Sequence, residues 1–309
     1  MALARGIRPV DYLLIVFNTG FGLLWLTALW RSPVAPWLVA AHAAAISLSI
    51  LTGRLGDEGT PFGRALRDLY PIVLIALYWL EMGLIRHTFH ESSFDAPIAA
   101  ADIWLFGQHL QEVWAPAMPQ LWFSEFMFAA YWVYYPMVFL TPLVLVLRGH
   151  SQTQRFIFAT TVAYLACYTL YAILPVDGPS HTVQRFQGPH TEGFFYQLVM
   201  SGTHAADSMG TAFPSSHVVG AVTAALLAVA WFSRPWAVLF ILGALGVTLS
   251  TVYTQGHFAI DSVIGVVFAV AVYFGATPLL ERLFRDRPFV EPAAPPESPA
   301  PAPSRETAR

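Results

Sequence analysis

The stretch AFPSSHVVGA, residues 212–221, sets His217 at the head of an apolar run, directly after Pro214, Ser215 and Ser216. A second apolar run opens the same way: TQGHFAIDSVIG, residues 254–265, carries His257 and, four residues on, Asp261. A helix that crosses a bilayer needs about 20 mostly apolar residues, because the hydrocarbon is about 30 Å thick and the backbone must satisfy its own hydrogen bonds there. Eight stretches approach that description, at about 12–30, 34–51, 70–85, 121–147, 156–174, 215–232, 235–254 and 258–280. The fold read from them is all-α: a polytopic integral membrane helical bundle of about eight spans.

Composition agrees. Of the 309 residues, 56% are hydrophobic and 11% are charged, far from the roughly 25% charged of an average soluble domain. All 16 basic residues are arginine, and a formal charge of −3 lacks the basic excess that nucleic-acid binding needs. Cys167 is the single cysteine, which excludes an intramolecular disulfide. The first apolar run is longer than the core of a signal peptide and has no small-residue cleavage site, so it reads as a retained helix.

Short loops rich in arginine stay on the cytoplasmic side. With the N-terminus inside, Arg5, Arg8, Arg54, Arg64, Arg67, Arg148, Arg155, Arg234, Arg282, Arg285, Arg287, Arg305 and Arg309 fall inside, and Arg31, Arg86 and Arg185 fall outside. That bias places both termini in the cytoplasm and both histidine-headed helix starts on the extracytoplasmic face, for a chain expected in a bacterial inner (plasma) membrane. Residues 1–69 read as a transmembrane hairpin with a cytoplasmic loop, 70–284 as a six-span core, and 285–309 as a Pro/Ala-rich disordered tail. Two outer loops are long, 86–120 and 175–214. In the first, AADIWLFGQHLQEVW suggests a helix lying in the bilayer interface. The second, rich in Gly, Pro and His, is expected to be irregular.

Pro214 suits the first turn of a helix, which leaves the amides of Ser215, Ser216 and His217 pointing outward. A helix start carries partial positive charge and binds phosphate. His257 and Asp261, four apart, share a helix face. A carboxylate on one ring nitrogen fixes the tautomer and leaves the other as nucleophile or base. The spacing alone does not say which histidine attacks.

FPSSH, followed about 40 residues later by STVYTQGHFAID, resembles the type 2 phosphatidic acid phosphatase superfamily, and within it the branch of inositol phosphorylceramide synthases. Pro214, Ser215, Ser216 and His217 match its Pro-Ser-x-His; Ser250, His257 and Asp261 match its last motif. LPVDGPSH, DIWLFG and EFMFAAYWVYY are similar to weaker elements upstream, so the likeness spans about residues 70–280. The resemblance implies that His257 attacks phosphorus and forms a phosphohistidine, that Asp261 orients it, and that His217 protonates the departing oxygen, without metal or other cofactor.

The chain departs from the superfamily in its phosphate clamp. It has no lysine, and Thr251 and Ser180 stand where relatives carry arginine. Phosphoryl-transfer transition states are held chiefly by electrostatics, so another cation is required. Arg185 is the only arginine in the second outer loop. It is the candidate phosphate ligand together with Ser215, Ser216 and His181, and with His190 and His204 as possible helpers. A thin clamp suits a phosphodiester, with its single negative charge. The expected partners are a lipid phosphoester and the surrounding membrane lipids. Two other functions fit part of the pattern. A metal-dependent hydrolase would draw on His217, His257, Asp261 and His204, and a transporter would use His42 and Glu81 within the spans. Glu125 and Glu81 are further candidates for a polar cavity, against a simpler role in pairing helices, while Tyr131, Tyr134 and Tyr135 read as packing or interface aromatics.

Overall fold

Helix follows hydropathy along nearly the whole chain. The computed structural model describes residues 6–54, 60–206 and 208–285, without the side chains of residues 54, 61, 189 and 203–206. The proline-rich tail and the side chain of His204 therefore lie outside the described residues. Helices α1 (Pro9–Leu26) and α2 (Ala35–Arg54) form a hairpin beside α3 (Pro61–Phe89). Then come α4 (Asp95–Phe106), α5 (Leu110–Ala117), α6 (Leu121–Trp132), a π-helical turn at Pro136–Leu140, α7 (Thr141–Leu147) and α8 (Thr153–Ile173). After a short α9 (Pro179–Thr182) and α10 (Phe194–Ala206) come α11 (Ser216–Trp231), α12 (Arg234–Tyr253), α13 (Ala259–Ala271), a second π-helical turn and α14 (Thr277–Leu283).

Seven helical stretches are long and apolar enough to cross a membrane, and α11 is an eighth, shorter apolar helix. The protein is an all-α integral membrane bundle, with α8 at its centre. Fifteen of the residues of α8 are buried and it packs against α1, α3, α7 and α11, as expected of a helix apolar on every side. The third span begins earlier than its hydropathy suggests, at Pro61 instead of residue 70. The reason is its cap: Thr60 Oγ1 accepts from the Gly63 amide at 3.2 Å, and Pro61 fills a first-turn position that needs no amide.

Both long loops are more helical than expected. The first holds two helices instead of one, divided at Gly107, whose φ of +74° ends α4 in a left-handed cap. On α4, Asp102 is fully buried while Trp104 is 84% exposed, so the helix is two-faced. The second loop contains α10. Glu125, on α6, accepts from the amides of Phe195 and Tyr196 at 3.0 and 3.1 Å, satisfying helix-start donors from a distant part of the chain. That cap is invisible in local sequence, and it gives Glu125 a structural task instead of a place in a cavity.

The α1–α2 hairpin is fastened to α3 by a buried polar network. Asn18 Nδ2 donates to Leu14 O at 2.7 Å, which makes its Oδ1 the acceptor facing His42 Nδ1 at 2.8 Å. Glu81 Oε1 accepts from Trp25 Nε1 at 2.6 Å and lies 2.9 Å from His42 Nε2. Both ring nitrogens of His42 thus meet oxygens of neighbouring helices, one from Asn18 and one from Glu81. His42 and Glu81 are the two side chains that motivated a transporter.

Candidate active site

The connection after α12 turns back on itself. Thr251 O accepts from the amides of both Gly256 and His257 at 3.1 Å, and Gln255 takes φ +56°. The turn delivers His257 just ahead of α13. There Asp261 Oδ2 accepts from the Phe258 amide at 2.9 Å, capping the helix that carries it. Asp102, from α4, adds a second carboxylate to the same helix start by accepting from the Ile260 amide at 3.0 Å, and it also holds His109 Nδ1 at 3.0 Å. Two buried acids on one helix start follow the polarity of its free amides.

The start of α11 reaches the same place. Pro214 stands outside the helix, not in its first turn: Ser215 is the N-cap, its hydroxyl accepting from the Val218 amide. The Ser215 amide is not free either, because it donates to Asp261 O at 3.1 Å. That bond ties α11 directly to α13. Gly265 permits the approach, since a Cβ there would stand 3.0 Å from Val218 Cβ and 3.2 Å from Ser215 O.

The two imidazoles meet. The His217 and His257 ring centroids are 5.8 Å apart at an interplanar angle of 66°. His257 Nδ1 donates to the Ala212 carbonyl at 2.9 Å, with Asp261 Oδ2 farther away at 3.6 Å. The tautomer is therefore set mainly by a backbone carbonyl, where the spacing suggested a carboxylate alone. It leaves Nε2 of His257 with a lone pair. His217 Nε2 lies 2.9 Å from Tyr131 Oη.

Ala212 owes its position to a strap of loop. Its amide donates to Val176 O at 2.9 Å, where Val176 and Thr211 form an isolated bridge. Asp95 receives the amides of Asp177 and Gly178 at 2.9 and 2.7 Å, and the Arg86 guanidinium grips both carboxylate oxygens of Asp177 at 2.9 Å. Arg86, an outer-loop arginine by sequence, is thus occupied in holding the loop. Ser208 adds a tie to α3: its Oγ accepts from the Gly83 amide at 2.8 Å and donates to Trp79 O at 2.9 Å, a hydroxyl spliced between the helix's own donor and acceptor.

His217, His257, Ser216, His181 and Arg185 all line one cavity of about 980 Å³. Asp261 and Ser215 are behind its wall, each with no exposed surface, and Ser215 does not reach it. Arg185 is placed by the turn before α13, donating to Thr254 O at 2.6 Å, while Gln255 Oε1 accepts from the next amide, Phe186, at 3.2 Å. His190 is held apart from the cavity, its carbonyl bonded to Ser124 Oγ at 2.7 Å. Tyr131, read from the sequence as a packing or interface aromatic, belongs to the site, as do Trp79 and the Ala212 carbonyl, which the sequence reading did not name. Tyr131 sits in an aromatic-rich run with no spacing relation to His217, and a backbone carbonyl leaves no mark in sequence.

Residues 96–275, more than half of the chain, match the family model of the PAP2 superfamily. The chain belongs to that superfamily, whose membership fits a membrane lipid phosphatase or phosphotransferase. No curated protein and no solved structure matches it.

Proposed function

We propose that the protein transfers a phosphorylated headgroup between lipids through a phosphohistidine on His257, at the extracytoplasmic leaflet, in the manner of the inositol phosphorylceramide synthase branch. The observation that carries the reading is the pair of imidazoles 5.8 Å apart on one cavity. His257 Nε2 attacks phosphorus; a P–N bond forms, the P–O bond to the leaving group breaks, and the proton of His217 passes to the departing oxygen. In the second half-reaction the acceptor oxygen attacks, the P–N bond breaks, and the acceptor's proton returns to His217. Arg185 and His181, with the first-turn amides of Ser216 and His217, hold the phosphoryl oxygens.

The cavity has the polarity of a lipid. Its lining combines the polar groups of Ser180, His181, Arg185 and Gln197 with the apolar side chains of Ala76, Leu77, Leu80 and Phe139. Leu77 and Leu80 are 54% and 52% exposed on the outer face of α3, so acyl chains enter sideways from the bilayer. The arginine asymmetry supports the extracytoplasmic placement, and the match over 96–275 supports a catalytic core of 70–284 with the hairpin of 1–69 as an addition. Among the described residues, no three of His, Cys, Asp and Glu form a metal-holding group. Glu81 and His42 are committed to each other, which disfavours a transport path through them.

The test incubates purified protein with phospholipids, polyprenyl phosphates and ceramide, in excess chelator, and identifies products by mass spectrometry. A new phosphorylated lipid is expected. Inorganic phosphate alone would make the protein a phosphatase, and no product from any phosphoester would remove the assignment.

A further inference from the structure

The reaction scheme leaves one polar neighbour of His217 without a role. Tyr131, on α6, is 5% exposed, lines the cavity and brings its Oη to 2.9 Å from His217 Nε2. It is the imidazole's only hydrogen-bond partner among the described residues, and His217 Nδ1, buried, has none. Tyr134 packs still closer, with ring centroids 4.5 Å apart against 4.9 Å for Tyr131, but its hydroxyl lies 2.6 Å from Tyr164 Oη. Trp79 presents a ring edge-on at 6.1 Å. The aromatic rings confine the imidazole; Tyr131 alone decides which nitrogen is engaged.

We infer that Tyr131 is a positioning residue for the proton step of this site, holding Nε2–H of His217 so that Nδ1 is the nitrogen that exchanges a proton with the leaving or entering oxygen. The inference rests on the reading that His217 is the acid. A phenol oxygen accepts from Nε2–H equally in the imidazolium and in the neutral ring, so the bond survives the cycle. The imidazolium gives its Nδ1 proton to the departing oxygen as the P–O bond breaks. The neutral ring keeps Nε2–H on Tyr131 Oη, and Nδ1 takes the acceptor's proton in return. This is the part a carboxylate or carbonyl plays for an orienting-group histidine, performed by a neutral oxygen where an extra buried charge would be costly.

A group that acts through proton delivery matters for a poor leaving group and little for a good one. Full-length Tyr131→Phe and His217→Ala proteins are compared with the unsubstituted protein on hexadecyl phosphate and 4-nitrophenyl phosphate, and on dihexadecyl phosphate and hexadecyl 4-nitrophenyl phosphate. Whichever pair the unsubstituted protein turns over is used. Tyr131→Phe is expected to lower kcat on the alkyl ester by at least about tenfold and on the nitrophenyl ester by less than about threefold, and His217→Ala to show the same contrast more strongly. If His217→Ala shows the contrast and Tyr131→Phe loses activity equally on both leaving groups, or on neither, the role of Tyr131 is overturned and that of His217 stands. If His217→Ala shows no contrast, the acid assignment falls and the inference falls with it.

Discussion

The carbonyl of Ala212 stands 2.9 Å from His257 Nδ1, closer than the Asp261 carboxylate at 3.6 Å. The tautomer of the proposed nucleophile is thus held twice, first by backbone and then by charge. Where a carboxylate alone sets the tautomer, its amide replacement costs about 10⁴-fold in rate. Here Asp261→Asn is expected to lower kcat by only about ten- to hundredfold, whereas His257→Ala abolishes both turnover and phosphoenzyme. Steady-state rates and acid-labile ³²P incorporation measure the two effects.

Gly178 has φ +82°, and a Cβ at that position would stand 2.6 Å from Ala212 Cβ. An alanine there meets both an unfavourable backbone region and a collision with the residue that orients His257. Gly178→Ala is therefore expected to lower kcat by more than about tenfold. Ser180→Ala, two residues on in the same loop, should leave kcat within about threefold. Equal losses in the two would mean that the loop does not act through Ala212.

Arg185 has one guanidinium nitrogen on Thr254 O at 2.6 Å and lines the cavity beside the two histidines. A charge-assisted hydrogen bond contributes about 1.5–3 kcal/mol. Arg185→Ala should accordingly lower kcat/KM by about ten- to hundredfold, with Arg185→Lys intermediate. Unchanged kinetics in Arg185→Ala would leave the phosphate without its proposed cation.

The His42–Glu81 pair, both residues 5% exposed or less, is not part of the lining of the histidine cavity. Removing one member of a buried pair strands the other and costs about 3–5 kcal/mol. Glu81→Ala and His42→Ala are expected to lower the thermal midpoint in detergent while the folded fraction keeps a kcat within about twofold. The double variant should lose less than the sum of the two. A specific loss of turnover at unchanged stability would instead make the network part of the reaction.

The apolar runs determined an all-α membrane bundle by themselves, because hydrocarbon tolerates few backbone solutions and so many apolar runs leave little choice. The same physics made His217 and His257 legible as polar groups at the heads of adjacent helices. Sequence spacing also placed Asp261 beside His257, four residues along one face. It did not reveal that Ser215 would spend its amide on Asp261 O, or that Pro214 would stand outside the helix, since both follow from the docking of α11 on α13. Ala212, Tyr131, Asp102 and Glu125 act on groups 45, 86, 158 and about 70 residues away. Hydrogen bonds of that separation form only when packing brings their helices together, and so the tertiary structure alone decided which nitrogen of each histidine is hydrogen-bonded.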